Sequence, residues 1–581
     1  MFEIVKKLNG ILNKKQKGSM VIIIIMMLIG AVLETASISI VIPVVTVAMD
    51  RKAIEKNELV RALYNILGCQ STESFTVIIM VTMIVAFILK NIFLFWQQKV
   101  LYRFVYTNQF RTSEQVMKKF LSRGYEYYLN ADTAVIQRNI TSDVNNMYAL
   151  ILSLLTLTSE IIVFLCLAVV LLVADLKMTL MISTLLIVTL LIIKKILKPI
   201  LKKAGKDNQD YYSGLFKWIS QTVTGIKEVK ISNKEKHFIS EYMECGQGYV
   251  NAVQKYSLYN NVPRLLIETI CVIGMISYLM VLMLGGDDAV SMMSTIAVFG
   301  LAIVRLMPCA NRINNQVNNI AYFEPAFMGV ADNLKAEIDA KNVGLEEFEP
   351  ADEKLDVKKT IELKDIYYKY PNTDKWIFEN ANLTIPVGKS VGIVGTSGAG
   401  KSTIVDVLLG LLQLDEGHIF ADGIDVLEKG NYRRWLKNVG YIPQTIFMLD
   451  DSIKKNICFG LSDEEIDEKR LWEVAREAQL DEFIKSLPEG MDTSIGERGI
   501  RISGGQRQRI GIARALYGDP EVLILDEATS ALDNDTESAI MESINRLHGL
   551  KTLVIIAHRL QTIEKCDEVY RVSEGKITKE R

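Results

Sequence analysis

Two stretches in the last third of the chain carry residue types that handle phosphate. The first is Gly395-Thr396-Ser397-Gly398-Ala399-Gly400-Lys401-Ser402, with Thr403 next. It follows the apolar stretch Ser390–Val394, read as a strand, and opens the run Thr403–Leu412, read as a helix. Glycines at these positions let the backbone turn so that successive N–H groups face one point, where phosphate oxygens accept from them. The helix N-terminus adds a dipole that favours anions. Lys401 would reach the β- and γ-phosphates, and the Ser402 hydroxyl would ligate Mg²⁺. The second stretch is Val522-Leu523-Ile524-Leu525, followed by Asp526-Glu527. Four apolar residues ending in two acids describe a buried parallel strand with carboxylates at its C-terminal end. Asp526 would hold Mg²⁺, and Glu527 is placed to polarise an attacking water. The expected ligands are ATP and Mg²⁺.

These residues need an α/β domain around them, and the rest of the chain is of another kind. Of 581 residues, 49% are apolar and 23% charged, with a net charge of −2. The mean hydropathy is +0.20. The mixture predicts one membrane part and one water-soluble part, and the charge balance gives no sign of a nucleic-acid partner. The seven cysteines are scattered, with no CxxC and no metal or disulfide framework. Six apolar spans are expected at 19–48, 76–98, 148–174, 177–199, 262–284 and 289–310. The first is too long to be a cleavable signal core. Segments 99–147 and 200–261 are rich in lysine and arginine, so they are expected on the cytoplasmic side of a cell (inner) membrane, with the N-terminus and all that follows the sixth span, and two short turns on the outer side. They read as helical continuations of the spans. Residues 54–67, in the outer loop, could form a surface helix. The domains are then 1–330 in the membrane, 331–358 as an acidic linker, and 359–581 as the nucleotide-binding part.

Between the two phosphate-handling stretches lies Ile502-Ser503-Gly504-Gly505-Gln506. Ser-Gly-Gly-Gln in this place resembles the signature of the ATP-binding-cassette (ABC) proteins, with Ile502 where the family usually has Leu. Other family elements match in order. Tyr370 stands where an aromatic stacks on adenine, and Gln444 matches the Q-loop, another Mg²⁺ contact. Ser530-Ala531-Leu532-Asp533 matches the D-loop, and His558 the switch histidine. The resemblance implies that Glu527, Gln444 and His558 act in hydrolysis. It implies that Ser503, Gly504, Gly505, Gln506 and Asp533 complete the ATP site. Thr222–Lys230 resembles the second coupling region of ABC exporters, and Gly496-Glu497-Arg498-Gly499 resembles the exporter cassette loop that meets coupling helices. The implied fold is an exporter-type helical membrane domain with six spanning helices, plus an α/β P-loop cassette. Six spans and one cassette make a half-transporter, so a dimer is implied. A homodimer is the simpler form, and a heterodimer stays open.

Charges inside the spans are costly and read as functional candidates. Lys90, Arg264, Arg305 and Arg312 form the basic set, and Glu34, Glu160 and Glu268 are the acids in the spans. One reading is structural, with Arg264 and Glu268 paired at i,i+4 and the others at the inner membrane interface or paired across helices. The other is a basic cavity for a phosphate or pyrophosphate headgroup. Leu33–Pro43 and Arg305–Ile313 are similar to the lipid-linked oligosaccharide flippases of bacterial protein N-glycosylation. The function expected is ATP-driven flipping or export of a phosphate-linked lipid among membrane lipids. The alternatives are a multidrug or lipid A-like exporter, and an ATP-gated channel or regulator.

Overall fold

A computed structural model of the chain describes residues 2–39, 72–174, 176–285, 289–336, 351, 353–428, 430–527, 542, 544, 546–557 and 563–581. The expected surface helix at 54–67 and the turn at 286–288 lie outside them. The chain divides into two compact units, Met1–Phe120 with Ala131–Ala336, and Leu121–Asn130 with Glu337–Arg581.

The first unit is helical. It contains α1 (Phe2–Ile11), α2 (Lys14–Ser39) and α3 (Thr72–Leu121), the last of which ends at the first residue of the second unit. The helix α4 (Tyr125–Asn130) belongs to the second unit. The first unit resumes with α5 (Thr133–Arg138), a π turn at Asn139–Asp143, α6 (Val144–Ala174) and α7 (Leu176–Thr224). It closes with α8 (Ile226–Ile231), α9 (Glu235–Gly285) and α10 (Ala289–Lys335). Helices α7 and α9 have 49 and 51 residues. At ~1.5 Å per residue each is about 75 Å long, more than twice a hydrocarbon core of ~30 Å. The spans therefore continue as helix past the membrane, as their charged extensions predict. Among the described residues, Lys14–Thr35, Ser74–Leu121 and Thr133–Val169 are long and apolar enough to cross a membrane. Helices α7, α9 and α10 run through the other three expected spans.

Packing in this unit centres on α6 and α10. Met147 and Leu150 on one, and Phe327, Val330 and Ala331 on the other, have no exposed surface. A Cβ at Gly205 of α7 would lie 1.9 Å from the Tyr322 carbonyl oxygen of α10, so this crossing requires glycine. The π turn places Arg138 five residues from Asp143, and Arg138 Nε donates to Asp143 Oδ2 at 2.9 Å. Gln209 Nε2 of α7 donates to the other carboxylate oxygen at 2.9 Å, so the buried acid is satisfied from two helices.

The second unit is α/β. Its strands are β1 (Thr360–Tyr368), β2 (Phe378–Pro386), β3 (Ser390–Val394), β4 (Glu416–Ala421), β5 (Ile424–Asp425), β6 (Val439–Ile442), β7 (Val522–Asp526), β8 (Thr552–Ile556), β9 (Glu568–Ser573) and β10 (Lys576–Lys579). A four-stranded antiparallel sheet has the order β2-β1-β4-β5. A six-stranded sheet has the order β10-β9-β3-β8-β7-β6 and is parallel except at β10. Every residue of β3, β7 and β8 is buried, which explains why their polar residues, Ser390, Asp526 and Thr552, stand only at strand ends.

Three boundaries differ from expectation. The helix after the glycine loop, α11, runs Lys401–Leu408 rather than to Leu412. Gly410 at φ +67° ends it, with Gly410 N–H donating to Val407 O at 2.8 Å and Leu411 N–H to Asp406 O at 2.9 Å. Leu355 and Val357, inside the stretch read as linker, are buried in the core of this unit. The Asn438 side chain brackets Leu355, accepting from its N–H at 2.9 Å and donating to its carbonyl at 2.8 Å. The helix α4 joins this unit, and Glu126 Oε1 accepts from the Gln413 N–H at 3.0 Å.

Asp567 ties the start of β3 in place. Its Oδ2 accepts from the Ser390 N–H at 2.8 Å and the Ser390 hydroxyl at 3.0 Å, and it meets His548 Nε2 at 3.0 Å. These bonds, led by the Ser390 N–H, hold the carboxyl below the ordinary range. A depressed acid stabilises the fold above its unfolded value, and that stability is lost as pH falls through the folded value. Asp567→Asn is expected to cost about 1.5 kcal/mol at pH 7, a drop of about 3–6 °C in melting temperature, with the difference shrinking below about pH 4. Calorimetry across pH 3–8 checks this, and an equal drop at every pH would contradict it.

Candidate functional site

Strand β3 delivers the loop Gly395–Ser402 to the C-terminal edge of the parallel sheet. A Cβ at Gly395 would lie 2.6 Å from the Val572 carbonyl oxygen, so the loop leaves the strand only past a glycine. Gly398 and Gly400 have φ of +79° and +103°, where other residues are strained. Gly400 is the N-cap of α11, so Lys401, Ser402 and Thr403 form its first turn, and Thr396, Ser397 and Ala399 fill the bend before it. Lys401 is 5% exposed, and its ammonium donates to the Gly395 and Thr396 carbonyls at 3.1 and 3.2 Å. A buried cation folded over the loop is placed to meet an anion lying on it.

Strand β7 is next but one to β3, and the intervening β8 aligns the two. Asp526 at the end of β7 has an oxygen 3.3 Å from the Ser402 hydroxyl. The Gln444 amide donates to a Glu527 oxygen at 2.8 Å. Glu527 has φ +49°, a strained conformation for a non-glycine, directly after the strand. The structure thus brings Ser402 to Asp526, and Gln444 to Glu527. Ser402, Asp526 and Gln444 are hard oxygen donors of the type Mg²⁺ takes alongside phosphate oxygens, so the residues present fit that ion. Mg²⁺ bound there would draw charge from the phosphates, while Glu527 would hold a water's proton.

The Tyr370 hydroxyl bonds Thr403 Oγ1 at 3.0 Å, which ties the expected adenine-stacking ring to the first turn of α11. Its ring meets Tyr368 edge-on, with centroids 5.3 Å apart. A hollow of about 380 Å³ beside it is lined by Glu126, Lys369, Tyr370, Asn372, Asp374 and Gln413. Asp406, on α11, is pushed up to about 6 by burial and then by the Asp526 carboxylate. Tyr125, also in this unit, is pushed up by burial and then by Asp406. The motifs do not reveal Asp406, Tyr125 or Glu126. The one trace is the aromatic cluster Tyr125-Glu126-Tyr127-Tyr128, in a helix of six residues, too short to show a period.

Ser503 is the N-cap of α16 (Gly504–Tyr517), whose predecessors are α12 (Asn431–Asn438), α13 (Ile453–Ile457), α14 (Glu468–Glu477) and α15 (Asp481–Ser486). Its hydroxyl accepts from the Gln506 N–H at 3.2 Å, and the Gln506 side chain accepts from the Ser503 N–H at 2.8 Å. Gly504 and Gly505 form the uncovered first turn, a second N-terminus suited to an anion. The loop before it turns through Gly496, Arg498 and Gly499, at φ of +72°, +55° and +68°. His558 and Asp533 lie outside the described residues.

The described basic side chains in the spans differ in their surroundings. Arg312 Nε pairs with Glu160 Oε1 of α6 at 2.7 Å, and its guanidinium also reaches Cys309 Sγ at 3.3 Å. It is therefore half of an ion pair, because a carboxylate on a neighbouring helix faces it. Lys90 lies 4.6 Å above the Phe87 ring on its own helix. Arg264 and Glu268 are both exposed, and among the described residues no ion pair joins them. The side chain of Arg305 lies outside the described set.

The family described as ABC transporter matches residues 378–530, and the ABC transporter transmembrane region matches residues 20–290. The heterocyst differentiation ATP-binding protein HepA of a Nostoc species is 35% identical over 365 residues, which is 62% of this chain and 57% of that protein. The ATP-dependent lipid A-core flippase of Pseudoalteromonas translucida is 43% identical over 222 residues, 38% of each chain. The matches thus span about half or less of these relatives' lengths. A bacterial Atm1-family ABC exporter, solved with ATP bound, shares the fold at TM-score 0.76 and 22% identity, over 98% of this chain and 95% of that one.

Glu527→Gln is expected to keep ATP binding and to slow hydrolysis by about 10²–10⁴. Nucleotide retention and phosphate release measure the two separately, and normal hydrolysis would remove Glu527 from this role. Two ABC transporter models, one for the transmembrane region at 20–290 and one at 378–530, show together that the chain belongs to the ABC transporters.

Proposed function

We propose that the chain is an ATP-driven exporter that flips a lipid with a phosphate-bearing headgroup, acting as a homodimer with its cassettes in the cytoplasm. The carrying observation is the convergence of Lys401, Ser402, Asp526, Gln444 and Glu527 at one sheet edge, in a chain that also has membrane-spanning helices. ATP would lie on the loop with Tyr370 against its base. Ser503–Gln506 of a second copy would close over the γ-phosphate, with His558 and Asp533 completing the site. Lys401 and the two helix N-termini supply positive potential on both sides of the phosphates. Closure of the cassettes would reach the membrane part through the coupling segments.

The substrate class rests on the relatives. Flippases named for lipid A-core are among the relatives, which favours a lipid A-like glycolipid over a lipid-linked oligosaccharide. That match is 222 residues long, shorter than the membrane region by itself, so it speaks for the class and not for a particular headgroup. Glu160 takes one edge of the Arg312 guanidinium, and Lys90, Arg264 and Arg305 are the further cations proposed for a phosphate.

In proteoliposomes, ATP should drive inward-facing phosphate-bearing glycolipid to the other leaflet. Lys90→Ala with Arg305→Ala should lower the lipid moved per ATP hydrolysed by about tenfold, two charge-assisted contacts being lost. ATPase stimulation by neutral drugs, with no lipid movement, would overturn the lipid reading in favour of a multidrug exporter.

A further inference from the structure

Lys194, Lys195, Lys198, Lys202, Lys203 and Lys206 crowd one stretch of α7, at the cytoplasmic end of the expected fourth span and just past it. No acid occurs between Lys177 and Lys206, and Asp207 is the first to follow. At about 100° per residue, these lysines all fall within one half of the helix circumference. Ile193, Leu197, Leu201 and Ala204 fall on the other half and are buried, whereas every one of the lysines is exposed. Packing of the apolar half therefore fixes the lysines outward. Toward the middle of the span the same outward face continues as Val188, Leu191 and Ile192, apolar and exposed.

Lys202 has a structural partner, the buried carboxylate of Glu324 on α10, at 2.8 Å. Among the described residues, no acid pairs with Lys194, Lys195, Lys198, Lys203 or Lys206. Like charges at this spacing repel, and an anion relieves the repulsion. A face that changes from apolar to basic is what a helix shows where it passes from hydrocarbon into headgroups. The headgroup layer is ~5–8 Å deep on each side of a bilayer. Lys194 to Lys198 cover ~6 Å of helix axis, which matches it. Lys203 and Lys206 stand ~8–12 Å beyond Lys198, close enough to an anionic surface to feel its potential. A second copy of this stretch would offer no acid in answer, whereas a leaflet of anionic lipid answers every lysine.

We propose that this face of α7 binds anionic phospholipid of the cytoplasmic leaflet, as a resident lipid that sets ATP turnover and is not carried. Lys194, Lys195 and Lys198 meet lipid phosphates directly, and Lys203 and Lys206 add to the attraction from outside the layer. Lysine ammoniums are compact charges on flexible stems, so the face reads the charge of a headgroup rather than its shape. Helix α7 runs on from the lysines to Thr224, inside the stretch that resembles a coupling region. One helix thus joins the leaflet's charge to the segment that reports on the cassettes. The inference goes beyond the transport reading, since it concerns a lipid that stays in place.

The test uses the full chain in phosphatidylcholine nanodiscs with a stepwise rising fraction of phosphatidylglycerol. ATPase rate and the phosphatidylglycerol retained after extraction into detergent are read for each preparation. In wild type both should rise with phosphatidylglycerol, and the half-activating fraction is taken within one preparation, so folding yield cancels. Lys194→Gln with Lys195→Gln and Lys198→Gln should raise that fraction by at least about fivefold and lower retention. Arginine at the same positions should restore the wild-type values. Lys203→Gln with Lys206→Gln, outside the bilayer, should give a smaller shift of about twofold. A wild type indifferent to phosphatidylglycerol, or glutamine variants that respond as wild type does, overturns the proposal. ATP-driven movement of phosphatidylglycerol between leaflets makes it cargo and also overturns it. So does loss of the dimer in the glutamine variants with retention unchanged, which would assign the face to a second copy. Transport of a phosphate-bearing glycolipid is measured apart from all of these, so that reading stands or falls separately.

Discussion

Strand β3 is held on both sides, by β8 in one register and by β9 in the other. That double clamp decides where the chain exits the sheet, and so where the N–H groups of Gly395–Ser402 point. Phosphate binding by backbone amides works only if those amides are fixed before the anion arrives. Asp567 pins the start of the strand through Ser390, and the Val572 carbonyl crowds its end at Gly395. Between them the strand has no room to slide. The loop, the first turn of α11 and Tyr370 through Thr403 all take their positions from it.

The same sheet assembles the acids. Asp526 ends β7 and aligns with Ile556 of β8, while Glu527 donates its backbone N–H to Ile556 O at 3.1 Å. The strained φ of Glu527 turns its side chain to Gln444, which follows β6 on the other flank of β7. Parallel strands with all their residues buried leave polar groups only at their ends. Chemistry therefore collects along one edge.

The membrane part obeys a different constraint. Its long helices satisfy their own backbones, so their side chains alone determine contacts. Glycine at 205 lets α7 meet α10, and the charges of Lys202 and Glu324 are paired across those two helices, while Arg138 pairs locally with Asp143. Arg312 and Glu160 follow that rule only in part, since Glu160 Oε2 is buried without a hydrogen-bond partner.

Much of the nucleotide site was legible along the chain. Glycine, lysine and serine at set intervals name a phosphate loop because few other residues permit that backbone and that charge. An apolar quartet before two acids names a buried strand end for the same kind of reason. Long apolar runs likewise declare membrane helices, since hydrocarbon accepts little else. What the sequence could not show was which partners meet across distance. Pairing of Arg312 across helices is one of two readings in the sequence, and the partner, Glu160 of α6, is named only by the packing. Tyr125, Glu126 and Asp406 look ordinary until packing places α4 beside Gln413 and α11 beside Asp526. Leu355 and Val357 read as linker until the Asn438 side chain holds them in the core. Local chemistry and local period are written in neighbouring residues, so the sequence by itself determined the loop, the strand ends and the spans. Desolvation and pairing depend on residues far apart in the chain, and only the tertiary structure decided them.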